Sequence, residues 1–167
     1  KGRMYKLKTY QIPEAGRQAK GSAIVNLLPI EKDEKITAVI PIKEFEENKY
    51  LTMLTKRGVI KKTDLTDYDT IRKGGLIAIG LREDDELIHV ELTDGDNNII
   101  VGTKKGICIR FKESDVRPMG RGASGVKAIT LNDDDFVVGA GCCKEGADIL
   151  TITENGYGKK TDLEEFK

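Results

Sequence analysis

The sequence predicts an all-β fold, a propeller-like array of four-stranded antiparallel blades of which about three are present. Three observations predict it. A unit of roughly fifty residues recurs along the chain, and repeats with periods of about 20–50 residues are typical of propellers, solenoids and arrays. Each unit holds four short apolar stretches separated by turns rich in glycine and aspartate, which is the pattern of a propeller blade. No segment of the 167 residues has the periodicity of a long helix.

Three sequence landmarks define the repeat and recur in the same order. The turn after the first strand reads TKRG at 55–58, TKKG at 103–106 and TENG at 153–156, so its glycines lie 48 and 50 residues apart. A glycine six residues before a leucine follows at Gly21, Gly75 and Gly125. An acidic pair then follows at 33–34, 84–85 and 134–135.

The unit at 49–98 shows the expected elements most clearly. Strands are expected at 51–54, 59–63, 76–81 and 87–92, because these stretches are short, apolar and often β-branched. A basic turn joins the first two strands, and a polar loop holding Tyr68 and a Gly-Gly pair joins the next two. An acidic turn precedes the fourth strand, and Asp94-Gly95 closes the unit.

The other units are predicted to repeat these elements. Residues 3–7 match the second strand, 22–30 the third and 36–42 the fourth strand of the first unit. Helical turns are expected only within 63–69 and 111–116. The blades are assigned to 1–48 (the end of one blade and the start of the next), 49–98, 99–148 and 149–167, the last being partial. We interpret the chain as a piece of a longer array cut inside a repeat, and we expect exposed edges at its ends.

The charge distribution alternates in step with the repeat, although 28 basic and 28 acidic residues give a net charge of zero. Segments 55–75 and 103–127 carry +3 and +5, whereas segments 82–96 and 132–148 carry −6 and −4. If the units stack in register, one rim is basic and another acidic, and the basic rim would attract a polyanion. The alternative is that the turns are simply charged and solvated.

Three equivalent loops combine glycine with cationic side chains: 13–21, the loop ending at Gly75, and 117–125. Glycine permits a close approach to the backbone, and backbone N–H groups with arginine or lysine suit phosphate oxygens. The alternative is that each loop only connects neighbouring blades. Three equivalent cationic loops favour phosphate contact.

The residue types that support catalysis or metal binding are sparse. Cys108, Cys142 and Cys143 form no disulfide framework or metal-binding pattern, and His89, the single histidine, lies within a predicted strand. The acidic pairs recur in every unit, so hairpin turns explain them better than general acid–base catalysis does. No nucleotide-binding P-loop, nucleophile elbow or apolar stretch of about 18 residues is present. We therefore expect a non-catalytic chain without a cofactor of its own.

Several stretches resemble the C-terminal domain of the DNA gyrase A protein. They are 2–8 (GRMYKLK), 10–15 (YQIPEA), 24–29 (IVNLLP), 110–120 (RFKESDVRPMG) and 155–161 (NGYGKKT). The resemblance covers the whole chain. It implies a β-pinwheel, a propeller-like disc of typically six four-stranded blades whose strand pairing differs from that of a true propeller. It also implies a basic perimeter that wraps double-stranded DNA and so supports ATP-dependent negative supercoiling.

One departure from the family pattern concerns the gyrase box, QRRGGKG, which is missing. Degenerate equivalents stand at 17–21 (RQAKG), 72–75 (RKGG) and 121–125 (RGASG). Without the box, the C-terminal domain of topoisomerase IV remains an alternative. The resemblance further implies a bacterial, ATP-hydrolysing parent isomerase with Mg, in which this region works beside the gyrase A catalytic core and the gyrase B subunit in an A2B2 assembly. The expected location is cytoplasmic, at the nucleoid, with no membrane partner.

The preferred prediction is a DNA-binding and DNA-wrapping module of a type II topoisomerase. Its candidate DNA-binding residues are the cations of the basic turns, second strands and glycine loops: Arg17, Lys20, Lys56, Arg57, Lys61, Lys62, Arg72, Lys73, Lys104, Lys105, Arg110, Lys112, Arg117 and Arg121. Two alternatives remain, a propeller-like platform for protein partners and a propeller enzyme with a central-channel site. The single histidine makes the enzyme the weaker of these.

Overall fold

The computed structural model describes residues 1–70 and 74–166, and it confirms the predicted all-β class. Eleven strands lie in the described residues: β1 (Arg3–Met4), β2 (Tyr50–Thr55), β3 (Val59–Asp64), β4 (Leu76–Ile77), β5 (Leu87–Thr93), β6 (Asn98–Thr103), β7 (Cys108–Lys112), β8 (Val126–Lys127), β9 (Val137–Cys143), β10 (Asp148–Ile152) and β11 (Gly158–Asp162). The helical segments are short 3-10 turns at Thr9–Gln11, Ile24–Asn26, Leu65–Tyr68, Glu113–Asp115 and Leu163–Glu165. Two of these turns fall where helical turns were expected. No helix in the described ranges is long and apolar enough to cross a membrane.

The third strands of the 49–98 and 99–148 units leave their own blades and pair with the preceding unit. The central sheet has the order β5-β2-β3-β8, and its fourth strand, β8, comes from the following unit. In the same way β4 pairs with β1 of the preceding unit, with Arg3 opposite Ile77. This exchange is the pinwheel pairing that the family resemblance implied.

Glycine makes the strand exchange possible, because the exchanged strand starts with its backbone pressed against the neighbouring unit. Gly125 has a φ of +99°, and a Cβ atom added there would lie 2.5 Å from the carbonyl oxygen of Ile60. Gly75 has a φ of +76°, and its added Cβ would lie 2.7 Å from the ring of Tyr5. At both positions the positive φ disfavours a side chain, and a Cβ atom would have to displace the Ile60 backbone at Gly125 or the Tyr5 ring at Gly75.

The expectation of strands at 22–30 and 36–42 is wrong. The first stretch holds only the 3-10 turn Ile24–Asn26, the second holds no strand, and Val39 is 87% exposed. In the other units a third strand needs the second strand of the preceding unit, and a fourth strand needs the first strand of its own. Within residues 1–70 and 74–166 no strand of either kind pairs with 22–42. Apolar alternation alone does not make a strand here.

The apolar core lies between successive units rather than inside one sheet. One buried cluster joins β2 and β3 to β6 and β9 of the following unit through side chains such as Leu54, Ile60, Ile99 and Val101. A second cluster, which includes Met53, packs β2 and the turn after β3 against β1 and residues around Phe45. Both faces of β2 and β3 are therefore covered, as in stacked repeats.

Candidate nucleic-acid interface

Two of the predicted DNA contacts, Lys61 and Lys62, lie inside the molecule. Their relative exposures are 0% and 4%. The Lys62 ammonium donates to the carbonyl of Glu113 at 3.1 Å and lies 4.9 Å from the centre of the Tyr50 ring. Their placement on a basic rim is therefore corrected, because the following unit covers β3. Both residues are structural in this chain.

The Lys61 side chain connects two segments of backbone, one at Ala78 and the other at Arg121 in the 117–125 loop. Its ammonium donates to the carbonyl oxygen of Ala78 at 2.6 Å and also to the carbonyl oxygen of Arg121. The Tyr68 hydroxyl donates to the same Ala78 oxygen at 3.2 Å. Burial lowers the pKa of Lys61 to about 8 and raises the pKa of Tyr68 to about 12, because it penalises the charged form of each group. Lys61 thus holds the backbone of the 117–125 loop against its neighbour.

The basic turn of the 49–98 unit (55–58) is joined to the acidic turn of the same unit (82–86) by hydrogen bonds and an ion pair. We call this arrangement of two turns a clasp. The backbone N–H of Arg57 donates to Asp85 Oδ1 at 3.0 Å, and its Nε donates to the Asp84 carbonyl at 3.1 Å. Lys56 Nζ lies 3.5 Å from Glu86 Oε2. The acidic turn is shaped by Asp84, whose φ is +58°, a left-handed conformation that aspartate tolerates better than most residues.

The next unit repeats the clasp. The backbone N–H of Lys105 donates to Asp135 Oδ1 at 3.0 Å, and Lys105 Nζ donates to the Asp133 carbonyl at 2.6 Å. Burial acts to raise the pKa of Asp135, but hydrogen bonds from the Thr103 hydroxyl and from the Lys105 and Phe136 N–H groups outweigh it and lower that pKa. The carboxylate is therefore held in its charged form beside the basic turn.

These clasps overturn the expectation of one basic rim and a separate acidic rim. The acidic turn lies against the basic turn, so their charges combine. Segments 55–58 and 82–86 together hold three cations and four acids, and segments 103–106 and 132–136 hold two cations and three acids. Each pair of turns has a net charge of −1 and offers little attraction to a polyanion.

Successive clasped turns do lie side by side. Phe136 separates them, with Lys56 Nζ 5.0 Å and Lys104 Nζ 5.4 Å from its ring centre. Each lysine lies over the ring at a distance typical of cation–π contacts. Neighbouring units therefore bring equivalent lysines together, but at a shared aromatic side chain rather than in an open row.

The two cations of β7 are partly neutralised by ion pairs. Arg110 Nη1 lies 2.8 Å from Glu164 Oε1, and Lys112 Nζ lies 3.0 Å from Glu145 Oε1. Exposed pairs of this kind are weak, in the range of about 0–1 kcal/mol. Arg110 and Lys112 can therefore exchange their carboxylate partners for another anion at small cost.

The glycine loops, 13–21 and 117–125 among the described residues, carry cations that form no ion pair. Arg17, Lys20 and Arg117 are exposed, and Arg121 is half-buried. The segment 117–127 contains three cations and no acidic residue. Arg72 and Lys73, predicted in the equivalent loop, lie outside the described residues. Within the described residues, none of these four loop cations lies in an ion pair, in contrast to Lys56, Arg110 and Lys112.

Sequence reasoning missed Arg3, which the strand exchange brings beside the 117–125 loop. Arg3 Nη2 donates to the Gly74 carbonyl at 2.6 Å. A cleft of about 370 Å³ lies there, lined by Arg3, Gly75, Leu76, Ile77, Arg121 and Gly122. The residues come from three different units. Only the register of β1 against β4 reveals this meeting, and the sequence pattern did not contain that register.

Sequence reasoning also missed Glu113, a buried carboxylate with only neutral partners. Its Oε1 accepts from the Thr93 hydroxyl at 2.6 Å and from the Gly95 N–H at 3.1 Å. Its Oε2 accepts from the Asn97 amide at 2.5 Å. The residue closes the 93–97 turn onto the following unit, which is a structural role. The described part of the chain holds no cluster of three or more histidine, cysteine, aspartate or glutamate residues suited to a metal ion.

Comparison with known proteins assigns the family. The family model described as DNA gyrase C-terminal domain, beta-propeller, matches residues 1–43, 49–94, 97–144 and 147–167. The chain belongs to this family. The second, third and fourth matched segments start 48 and 50 residues apart, which is also the spacing of the turn glycines.

Curated relatives agree with this assignment. The DNA gyrase A protein of Clostridium acetobutylicum is 59% identical over 167 residues, which is 100% of this chain and 20% of the relative. The DNA gyrase A protein of Staphylococcus aureus is 47% identical over 170 residues, with 100% of this chain and 19% of the relative covered. This member of the gyrase family therefore spans about a fifth of the length of its curated relatives.

Solved structures resemble the same fold. The C-terminal domain of DNA topoisomerase IV superposes with a TM-score of 0.92 at 35% identity, over 100% of this chain and 52% of that one. The DNA gyrase A C-terminal domain superposes with a TM-score of 0.80 at 29% identity, over 99% of this chain and 53% of that one. The arrangement of strands in this gyrase-family chain is thus shared with both kinds of domain.

Proposed function

We propose that this chain is a non-catalytic DNA-binding and DNA-wrapping module of a type II DNA topoisomerase, the gyrase A protein. It bends duplex DNA along its basic loops and so supports ATP-dependent negative supercoiling by the parent enzyme. Family membership and the names of the curated relatives support the proposal. ATP and Mg belong to other parts of that enzyme, as do the gyrase A catalytic core and the gyrase B subunit with which this region works in an A2B2 assembly.

The observation that carries the proposal is the separation of two classes of cation. Lysines and arginines of the basic turns are clasped by acidic turns, whereas segment 117–127 has three cations and no acid. Arg17 and Lys20 occupy the equivalent loop of the first unit and are exposed. A surface that attracts phosphates through released counterions needs cations without competing acids. Segment 117–127 meets this condition, and in the 13–21 loop one acid, Glu14, stands against Arg17 and Lys20, whereas each pair of basic and acidic turns holds more acids than cations.

Backbone contact rather than base reading is the mode that these residues support. Arginine, lysine and backbone N–H groups bind phosphate oxygens and fix the position of a duplex without reading its sequence. Smooth bending of a 20–30 bp segment by 40–90° costs on the order of 1–6 kcal/mol. The loops of several successive units must therefore act together to hold a bent duplex.

The salt dependence of duplex binding tests this function. The logarithm of the association constant should fall linearly with the logarithm of salt concentration, by about 0.9 per neutralised phosphate. Joint replacement of Arg17, Lys20 and Arg117 by glutamine should reduce that slope by about 2–3 and weaken all duplex sequences by about 10- to 100-fold.

The matched control removes three clasped cations instead. Joint replacement of Lys56, Arg57 and Lys105 by glutamine changes the net charge equally but should weaken binding less than about threefold, because these cations make no phosphate contact and act only through the long-range field, which salt screens. A flat salt slope for the unmodified chain would contradict DNA binding itself. Equal loss from the two triple variants would contradict the assignment to the glycine loops.

The C-terminal domain of topoisomerase IV is the second candidate, favoured by its TM-score of 0.92 and 35% identity, both above those of the gyrase structure. The two candidates differ in what the parent enzyme does with wrapped DNA. The full-length protein, assembled with its ATPase partner, should introduce negative supercoils into relaxed plasmid if the gyrase assignment is right. Relaxation or decatenation without supercoiling would favour the topoisomerase IV assignment.

A further inference from the structure

We propose that Arg3 and Arg121 jointly hold one backbone phosphate of duplex DNA in the cleft between successive units. The inference rests on the proposed function and adds to it a specific site that strand exchange assembles. The cleft of about 370 Å³ is lined by both arginines, by Gly75 and Gly122, and by β4. Two guanidinium groups and the exposed backbone of two glycines can bind the oxygens of a phosphodiester through hydrogen bonds and charge.

Strand register places Arg3 at the mouth of this cleft. Arg3 lies directly opposite Ile77 in the antiparallel pair of β1 and β4, so both side chains project from the same face of the sheet. Ile77 is 58% exposed, whereas Leu76, on the opposite face, is buried. The face that carries Arg3 is therefore the one open to a large ligand.

The Arg3 side chain and the Arg121 backbone are held in place before any ligand arrives. Arg3 donates through one terminal nitrogen to the Gly74 carbonyl at 2.6 Å, which orients the guanidinium. Arg121 is fixed through its backbone, because its carbonyl accepts a hydrogen bond from the buried Lys61 ammonium. Two residues further along, the Ala123 carbonyl accepts from the Gly80 N–H at 3.1 Å. Anchoring of this kind reduces the entropy lost on binding.

The acidic group nearest to Arg3 is Glu31, whose Oε1 lies 4.0 Å from Arg3 Nη1. Glu31 also pairs with Lys1 at 2.6 Å, so its charge is shared between two cations. Arg121 makes no ion pair with any residue that the structure describes. Glu34 also interacts electrostatically with Arg3, so Arg3, Arg121 and Lys1 stand against two acids and the cleft keeps a net positive charge.

Duplex DNA, rather than free phosphate, is the source of phosphate that the surroundings favour. Two residues that line the cleft, Arg121 and Gly122, belong to segment 117–127, which holds two further cations and no acidic residue. A polyanion uses such an extended surface, whereas a single ion does not. Ile77 at the cleft mouth also suits the sugar edge of a backbone better than a small hydrated ion.

The experiment compares duplex binding by Arg3→Gln, by Arg121→Gln and by the double variant. If both arginines hold one phosphate, each single variant should weaken binding about fivefold, and the double variant should lose less than the product of the two. The salt slope of the double variant should fall by about 0.9, the value for one phosphate. The control is the double variant Lys144→Gln/Lys159→Gln, which removes two exposed cations that do not line the cleft.

Three results would overturn the inference. A slope reduction of about 2 with additive losses would mean that the arginines contact separate phosphates. A loss no greater than that of the control would mean that the cleft does not contact DNA, although wild-type binding would leave the proposed function standing. In the third result, inorganic phosphate stabilises the wild-type protein but not the double variant, while both bind duplex DNA equally well. That result would identify the cleft as a site for free phosphate. Absence of duplex binding by the wild type would instead defeat the proposed function.

Discussion

Residues 61–65 and residues 159–163 have the same sequence, KKTDL, but different surroundings. Both stretches run through the second strand of a unit and end in a 3-10 turn, and the leucine that closes each is buried. Lys61 and Lys62 are also buried, whereas Lys159 and Lys160 are exposed. The difference cannot come from local sequence, so it comes from what lies beside each strand.

The neighbour of the first stretch is the following unit. β8 pairs with β3, and the Met119 N–H donates to the Lys62 carbonyl at 2.8 Å, so the 117–125 loop covers the lysines. β11 pairs only with β10 within the described part of this chain. The surface character of a lysine in this array therefore depends on whether the next unit is stacked on it. A count of cations per unit overestimates the charge that a ligand meets.

The two stretches should differ most in how much stability is lost when their first lysine is replaced by glutamate. Lys61→Glu places a carboxylate against the carbonyl oxygens of Ala78 and Arg121, which cannot donate to it, and should lower the free energy of unfolding by about 3–5 kcal/mol. Lys159→Glu alters an exposed side chain and should change it by no more than about 0.5 kcal/mol. Urea denaturation of both variants measures the difference. Similar losses would show that the next unit does not protect β3 in solution.

A second pair of positions compares the exchanged strand with its unpartnered counterpart. Gly125 and Gly21 occupy the same repeat position and both have positive φ, but an added Cβ meets the Ile60 carbonyl at 2.5 Å in one case and nothing within 4 Å in the other. Gly125→Ala should therefore lower the free energy of unfolding by about 2–4 kcal/mol, from strain plus displacement of the strand. Gly21→Ala should cost about 1 kcal/mol, from the backbone conformation alone.

Thermal unfolding monitored by circular dichroism gives both values. If Gly21→Ala were as damaging as Gly125→Ala, segment 22–42 would have to be packed against a partner strand in solution. That result would contradict the physical reason given for the missing strands of the first unit.

A third comparison concerns the buried position after each second strand, which holds Leu65, Glu113 and Leu163. The carboxylate of Glu113 accepts from three neutral donors, and an amide there turns one acceptor into a donor that faces donors. Glu113→Gln should lower the free energy of unfolding by about 1–3 kcal/mol. Denaturant midpoints measure this loss, with Glu145→Gln on the surface as the control. An unchanged midpoint would mean that water satisfies the 93–97 turn.

The sequence predicts the repeat, the all-β class and three strands of the 49–98 unit, because turn glycines and apolar alternation are local signals. Of the strand expected at 76–81, only Leu76–Ile77 forms. It does not predict that β4 and β8 cross into the preceding blade, since pairing between units depends on contacts distant in the chain. For the same reason it misplaced Lys61 and Lys62 and omitted Arg3. The hydrogen bond between Arg57 and Asp85 could not be predicted either, because charge counts along a sequence do not show that two turns of opposite sign face each other.

The last comparison uses the titration of Lys61 to test the same burial. Its pKa is about 8 in the folded chain, against an ordinary value of 10.5 in the unfolded chain, because burial disfavours the ammonium. Between these two values the unfolded state binds more protons than the folded state, so the Lys61 contribution to stability rises with pH, by at most about 1.4 kcal/mol per pH unit. Asp67, which raises the Lys61 pKa, and Arg121, which lowers it further, are the charged groups that act on the ammonium.

Tyr68 acts in the opposite sense. Its raised pKa of about 12 means that stability is lost as pH rises above 10, and Cys142, whose pKa burial also raises, adds to that loss above pH 9. The Lys61→Met variant keeps Tyr68 and Cys142. Subtracting its free energy of unfolding from that of the wild type therefore cancels the contributions of these two residues and leaves that of Lys61. This difference should increase from pH 8 to pH 10 in urea titrations, and the same difference for Lys159→Met should stay flat. A flat difference for Lys61 as well would mean that its ammonium reaches water in solution, as the ammonium of Lys159 does.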